Sequence, residues 1–440
     1  MIFRSVLLFS SLLLFFCTPG KKARTVETQP FAKNVLISMG NKGDAYGPCE
    51  PSIAINHSNI DQVAAGAILN RYYWSEDGGK TWQSGKLESK FGVFGDPVLM
   101  SDWKGNIYYA HLSDPNKQGW ASPSLLDRIV IQKSTDGGKT YNNGSYCGFN
   151  MPKDQDKHWL VADPKTNNIY CSWTEFDKYA SKEHDVDKSR ILFSMSTNDG
   201  QSWSEALQIS EKEGNCEDDD FTPEGAVPAA GPNGEVYIAW SFDDKIWFDR
   251  SMDSGKSWME HDIVAAKQPG GWAMDIPGLT RSNGMPILVC DLSTGPNRGT
   301  LYLNWADQRN GEDDTDIWFA KSTDGGTTWS EAKRVNDDKP GSHQFLPWMA
   351  IDQTTGNLYV VYYDRRAYAD EQTDVYLAVS KDGGETFENI KISEKPFKPN
   401  PLFFFGDYNH ISAHKGRVRP IWTRMDDGVM SVWTALIDVK

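Results

Sequence analysis

The stretch "STDGGTTW" at residues 322–329 recurs in five variant copies: "SEDGGKTW" (75–82), "STDGGKTY" (134–141), "STNDGQSW" (196–203), "SMDSGKSW" (251–258) and "SKDGGETF" (380–387). Such a stretch is made to reverse the chain. Gly supplies a positive φ at little steric cost, Asp accepts hydrogen bonds from nearby backbone N–H groups, and the hydroxyl at the seventh position ties the turn further. The closing Trp82, Tyr141, Trp203, Trp258, Trp329 or Phe387 buries apolar area against the outer strands of its own unit. Six copies of one turn therefore predict scaffolding with a local stabilising role.

The third positions, Asp77, Asp136, Asn198, Asp253, Asp324 and Asp382, are spaced by 59, 62, 55, 71 and 58 residues, which predicts a stacked or radial repeat array. Each copy follows a stretch with branched or aromatic residues at period two, such as "RIVIQK" (128–133), "KIWFDR" (245–250) and "DVYLAV" (374–379), so each is the turn that ends a strand. A second strand lies upstream, as in "GNIYYAHL" (105–112) and "GTLYLNWA" (299–306). A third precedes it, as in "EPSIAIN" (50–56), "DPVLMSD" (96–102) and "LPWMAID" (346–352), and a polar fourth follows the turn, as in "ALQIS" (206–210) and "NIKIS" (389–393). Four strands per repeat make the blade of a β-propeller.

The segment "FGDYNHISAHKGRVRPIWTRMDDGVMSVWTALI" (405–437) supplies three further strands without the turn, which raises the count to seven blades. "NVLIS" (34–38) resembles the fourth strands and has no blade of its own, so it is expected to complete the last blade and close the ring without free edges. A six-bladed ring with residues 406–438 as an appendage is the competing count.

The chain carries 45 Lys and Arg against 60 Asp and Glu, a net charge of −15, which argues against nucleic acid or an anionic membrane as the main partner. Its first residues, "MIFRSVLLFSSLLLFFCTPGKK", place one Arg before an apolar run from Val6 to Phe16, too short to span a bilayer comfortably, and predict an export signal. Cys17 ends that run as in a bacterial lipobox, with a bulky residue where a small one is usual. Residues 1–17 are thus expected to be the signal with lipidation at Cys17, 18–33 a tether and 34–440 one propeller domain. A plain secretory signal is the alternative. The expected location is the bacterial cell surface, the periplasm or the medium, with membrane contact only through a lipid anchor and the protein a monomer. Cys49, Cys147, Cys171, Cys216 and Cys290 form no C-x-x-C pair, and Cys147 and Cys216, both in loops entering successive repeats, could form one disulfide.

At the six turns the sequence resembles the Asp-box, or bacterial neuraminidase repeat, proteins, whose best-known members are sialidases. The resemblance covers almost the whole chain after the signal. "CEPSIAIN" (49–56), "DKHWLVADP" (156–164) and "FGDYNHISA" (405–413) also look like exported bacterial proteins of this sialidase-like group. It implies a propeller, a carbohydrate-related role and no cofactor. Sialidases grip the sugar carboxylate with three Arg residues and use an Asp acid/base and a Tyr nucleophile paired with Glu. The first of those Arg residues stands in a Phe/Tyr-Arg-Ile-Pro motif, but here the stretch reads "YGPCEPSIAI" (46–55), with Cys49 and Glu50 in place of Arg and Ile.

In a propeller the Asp-box turns lie on the face opposite to the loops that lead into the innermost strands. Those lead-ins carry Glu50, Asp96, His158, Glu224, Asp275 and Asp407, while the loops joining second to third strands add Arg71, Glu175, Asp177, Asp243, Asp307, Arg309, Asp364, Arg365, Arg366, Arg424 and Asp426. Glu50, Asp96, Glu224, Asp407 and Tyr408 are the candidate catalytic groups, since glycosidic chemistry needs one carboxyl to protonate the leaving oxygen and another as base or nucleophile. Arg71, Arg309, Tyr363, Arg365 and Arg366 are the candidate substrate-binding groups, because guanidinium groups grip carboxylates bidentately. The alternative is that the acids satisfy backbone N–H groups or hold water or a cation around the channel.

His410 and His414 would stand ~13 Å apart along a strand, too far for one metal. "NCEDDDF" (215–221) and "NGEDDTD" (310–316) lack the ligand spacing of a known calcium loop and are expected to be solvated acidic loops. Phosphate-loop, G-x-S-x-G and H-E-x-x-H motifs are absent. Two readings remain. One is a propeller that binds a glycan or protein ligand at the central loop face without catalysis, and the other is a glycoside hydrolase of the sialidase type.

Overall fold

A computed structural model describes residues 32–44 and 46–439. The expected export signal, its Cys17 and all but the end of the tether lie outside the described residues. Seven four-stranded antiparallel sheets succeed one another along the chain, each with its strands in simple meander order. Their innermost strands are Ser52–Ile55, Val98–Ser101, Asp154–Ala162, Glu224–Ala230, Ile287–Cys290, Gln344–Ile351 and His410–His414. Each packs against the next, and the seventh packs against the first, so they form a closed ring. The chain is an all-β, seven-bladed propeller.

The last blade pairs Lys33–Met39 antiparallel with Val429–Asp438, with Val35 opposite Thr434. The N-terminal strand thus provides the fourth strand of blade seven and covers an edge that would otherwise be open. This also explains why six turns serve seven blades. The repeated turn joins third to fourth strands, and in blade seven those two strands are the last and first of the described chain.

Each turn is held by its own side chains. In blade five Ser322 Oγ donates to Asp324 Oδ1 (2.8 Å) and accepts from the Gly326 N–H (2.9 Å). Asp324 accepts from the Thr328 N–H (2.9 Å) and hydroxyl (2.6 Å). The role is not only local, however. Gly326 has φ +86°, and a Cβ there would come within 2.2 Å of Phe248, which belongs to the preceding blade. The closing Trp329 packs edge-on against the same Phe248, at 5.4 Å between ring centroids. Trp258 against Phe193 and Phe387 against Phe319 repeat the arrangement, so the turns mortise each blade to the one before it. All five described cysteines are unpaired and buried, so the Cys147–Cys216 bridge does not form.

Candidate functional site

Aligning the innermost strands by their pairing registers places Glu50, Asp96, Lys157, Gly225, Met285, Leu346 and Tyr408 at equivalent positions around one mouth of the ring. At five of them the backbone is left-handed: Glu50 (φ 50°), Asp96 (47°), Lys157 (51°), Gly225 (69°) and Leu346 (48°). Blades three, four and six show a register shift there, a bulge that re-aims side chains at the mouth of a sheet. Non-glycine residues adopt this conformation only where the surroundings impose it.

Glu50, Asp96 and Lys157 consequently line one cavity of about 360 Å³, together with Asp156 and Arg281. The Lys157 ammonium, 3% exposed, lies 2.9 Å from Asp407, 3.7 Å from Asp96 and 3.9 Å from Asp156. Arg281 reaches Asp407 with Nε (2.7 Å) and Nη2, and Asp218 with Nη1 (3.0 Å). The Asp407 N–H donates to Glu50 Oε1 (3.1 Å), and its carbonyl accepts from Asn283 Nδ2 (2.8 Å). Asp218 also accepts from the Trp272 indole and the Tyr179 hydroxyl, both at 3.0 Å.

Glu224 adjoins Asp218 and Asp156, so six acids, Glu50, Asp96, Asp156, Asp218, Glu224 and Asp407, crowd two cations, and their titration diverges. Burial, then the charges of Asp96 and Asp407, hold the Glu50 carboxyl well above the usual carboxylate range. Burial and the neighbouring Asp218 and Asp156 do the same to Glu224, and burial pushes Asp156 up to about 6. Burial also acts on Asp407, but Arg281 and Lys157 outweigh it and hold that carboxyl at about 2. Asp96 Oδ2 and Glu224 Oε1 are buried without a hydrogen-bond partner among the described residues. Trp159, Trp348, Tyr408 and His410 pack together where the innermost strands converge, with Trp159 and Trp348 at 4.2 Å, and Trp159, Trp348 and His410 line a second cavity of about 230 Å³ along the channel. Tyr408 is buried in that aromatic cluster and donates to the Pro97 carbonyl (3.3 Å).

The arginines expected to bind substrate do not converge. Arg71 serves the Tyr46 and Ile68 carbonyls and Asp44. Arg309 folds onto Asp307 (2.9 Å) and stacks on Trp318 (4.1 Å). Arg366 binds Asp364 (2.8 Å) and stacks on Tyr376, and Arg424 binds Asp426. Arg365 is buried, with Nε on Thr373 and Nη1 on the Pro277 carbonyl. Tyr363 is buried, donating to the Thr423 carbonyl (2.9 Å) and accepting from its N–H (3.0 Å). Glu175 and Asp177 neutralise Arg190 and Lys153. His158 lies in the core beside the cluster, and Asp275 is exposed on a hairpin (Ala273–Met274 with Ser282–Asn283) outside the innermost strand of blade five.

No family model matches the chain. A curated sialidase from Bacteroides fragilis (strain YCH46) is 25% identical over 347 residues, a match that covers 72% of this chain and 58% of that protein. Among solved structures, a protein of unknown function from Dyadobacter fermentans DSM 18053 aligns over 94% of this chain and 100% of its own, with a TM-score of 0.53 and 13% identity. That likeness shows the shared β-propeller fold. A Hadza microbial sialidase aligns over 86% of this chain and 73% of its own, with a TM-score of 0.49 and 14% identity. The match to the curated sialidase spans less than two thirds of its length, and function here must be argued from the cavity itself.

Proposed function

We propose that the cavity at the first-strand face binds a neutral sugar of an extracellular glycan and hydrolyses its glycosidic bond, with Glu50 as proton donor and Asp96 as base. The observation that carries this reading is the divergence of two neighbouring carboxyls, the Glu50 carboxyl accepting from the backbone N–H of Asp407. The Glu50 carboxyl is raised well above the usual carboxylate range and that of Asp407 is held below it, and environments that push paired carboxyls apart are how acid and base roles are divided. Glu50 lines the cavity and can give its proton to the glycosidic oxygen. Asp96, which also lines the cavity and whose Oδ2 faces Lys157 at 3.7 Å without a hydrogen-bond partner among the described residues, can take one from water. Asp407 acts at one remove, since its charge helps to hold the proton on Glu50.

A sialic acid fits this cavity poorly. Lys157 and Arg281 are its only cations among the described residues, and both are engaged by carboxylates. A substrate carboxylate would be set among acids already in excess, and like-charge juxtaposition costs several kcal/mol. The six repeated turns are read as Asp-boxes, and the apolar run ahead of Cys17 as the signal that exports the protein to its glycan.

The test is a panel of fluorogenic neutral glycosides and sialosides, with an immobilised glycan array beside it. Turnover of a neutral glycoside that is lost in Glu50→Gln supports the reading. Binding on the array without any turnover would return the protein to the non-catalytic, glycan-binding alternative, and sialoside turnover would overturn the neutral-sugar assignment.

A further inference from the structure

The wall of the cavity differs from its floor. Above the acids stand Tyr46, Phe94, Trp120, Tyr179 and Phe404, contributed by loops of several blades. Trp120 is the most open of them at 62% exposure, yet it is held in place. Its ring stacks on Tyr179 (5.8 Å between centroids, 26° between planes) and meets Phe94 edge-on (5.6 Å).

The loop that carries Trp120 does not need the indole for its own stability. It is an excursion between the second strand (Ile107–Leu112) and third strand (Ile129–Ser134) of blade two. Ser113 Oγ donates to Asp127 (2.7 Å), Asp114 accepts from the Gln118 and Gly119 N–H groups (3.2 and 2.8 Å), and Asn116 binds Ser122 (3.1 Å). Leu125 and Leu126 anchor its far end in the core. A large apolar ring left open to solvent at a cavity rim, and fixed there by two other rings, is placed for contact with a ligand.

We infer that Trp120, backed by Tyr179, is the stacking platform for a neutral pyranose ring, and sets the preference of the cavity for sugars that present an unbroken apolar C–H face. The inference rests on the proposed function, because it assumes that the cavity takes a sugar. The chemistry is complementary: one face of a pyranose offers axial hydrogens to the indole, and its hydroxyl edge then turns toward Glu50, Asp96 and Asp156 on the floor.

The experiment titrates hexasaccharides of glucose, xylose, mannose and galactose into the wild type, Trp120→Ala and Trp120→Phe, following tryptophan fluorescence and binding heat, with thermal midpoints recorded for all three. The expected result is binding of at least one hexasaccharide by the wild type, weakened at least about tenfold in Trp120→Ala and less in Trp120→Phe, with the midpoints unchanged. The fluorescence change on binding should disappear in both variants. Equal affinity of wild type and Trp120→Ala would overturn the platform and leave the proposed function standing. Failure of the wild type to bind any of the sugars would overturn both.

Discussion

The Lys157 ammonium and the Asp407 carboxylate lie 2.9 Å apart, both almost wholly buried, and join blade three to blade seven across the mouth of the ring. Removing one partner of such a pair leaves the other as an uncompensated buried charge. Lys157→Met should therefore cost about 3–5 kcal/mol in urea unfolding, because Asp96 and Asp156 lose their ammonium partner and Asp407 is left with Arg281 alone. Asp407→Asn should cost less, since Lys157 retains those two acids.

The same substitution tests how the charges are coupled. With Asp407 neutral, one anion that holds the proton on Glu50 is gone, and Lys157 and Arg281 are less neutralised. The Glu50 carboxyl should ionise at lower pH. Activity that needs Glu50 protonated is lost as pH rises through its pKa, so the basic limb of the pH–rate profile should move to lower pH in Asp407→Asn. An unmoved limb would mean that another group supplies the proton.

Glu50→Gln should separate stability from activity. The folded-state pKa of Glu50 is raised, so its contribution to stability is fully present below the unfolded value, ~4.3, and is lost as pH rises toward the folded value. Glutamine has the shape of the protonated acid and carries no such penalty. The variant should be more stable than wild type at pH 7.5, with the gain vanishing near pH 4, while turnover falls by roughly 10²–10⁴. Urea midpoints at the two pH values, beside initial rates, check both halves.

How far the site could be read in the sequence depended on whether a residue belonged to the repeat. Glu50, Asp96, Glu224 and Asp407 stand at lead-ins that recur blade after blade, so counting strands found them, and the same count gave the seven blades and the closing strand. Lys157 was missed by a single position. His158 drew attention in "DKHWLVADP", although counting back from Asp163, as from Asn56 and Asp102 in blades one and two, picks out Lys157. Arg281 lies on a hairpin with no counterpart in other blades, and its one signal was the 71-residue interval between Asp253 and Asp324. Asp218 sits in "NCEDDDF", which reads as a solvated loop, because nothing local reveals that Arg281, Tyr179 and Trp272 will close over it. The arginines misled for a related reason. A guanidinium two residues from an Asp, as in "DQR" and "DRR", folds back onto its own neighbour before it can serve a distant ligand.

Closure by Lys33–Met39 predicts a truncation phenotype. Removal of the chain through Met39 bares the edge of Val429–Asp438 and leaves blade seven with three strands. The thermal midpoint should fall by about 5–10 °C, with concentration-dependent association through the bared edge. A synthetic peptide "KNVLISM" added in trans should restore the midpoint.

The repeated turns predict an energetic coupling between blades. Phe248 of blade four is fully buried, and Trp329, which closes the turn of blade five, meets it edge-on at 5.4 Å. Phe248→Ala should cost about 3–5 kcal/mol, the usual range for emptying a buried aromatic site. The informative quantity is the double-mutant cycle with Trp329→Ala. If the turn fastens one blade to the next, the two losses should fall short of additivity by about 0.5–1.5 kcal/mol, the range for an aromatic pair beyond simple burial. Asp324→Ala, which breaks the internal hydrogen bonds of the turn, should lower that coupling, since Trp329 is then no longer held against the neighbouring ring. Simple additivity of Phe248→Ala and Trp329→Ala would confine the turn to a local role.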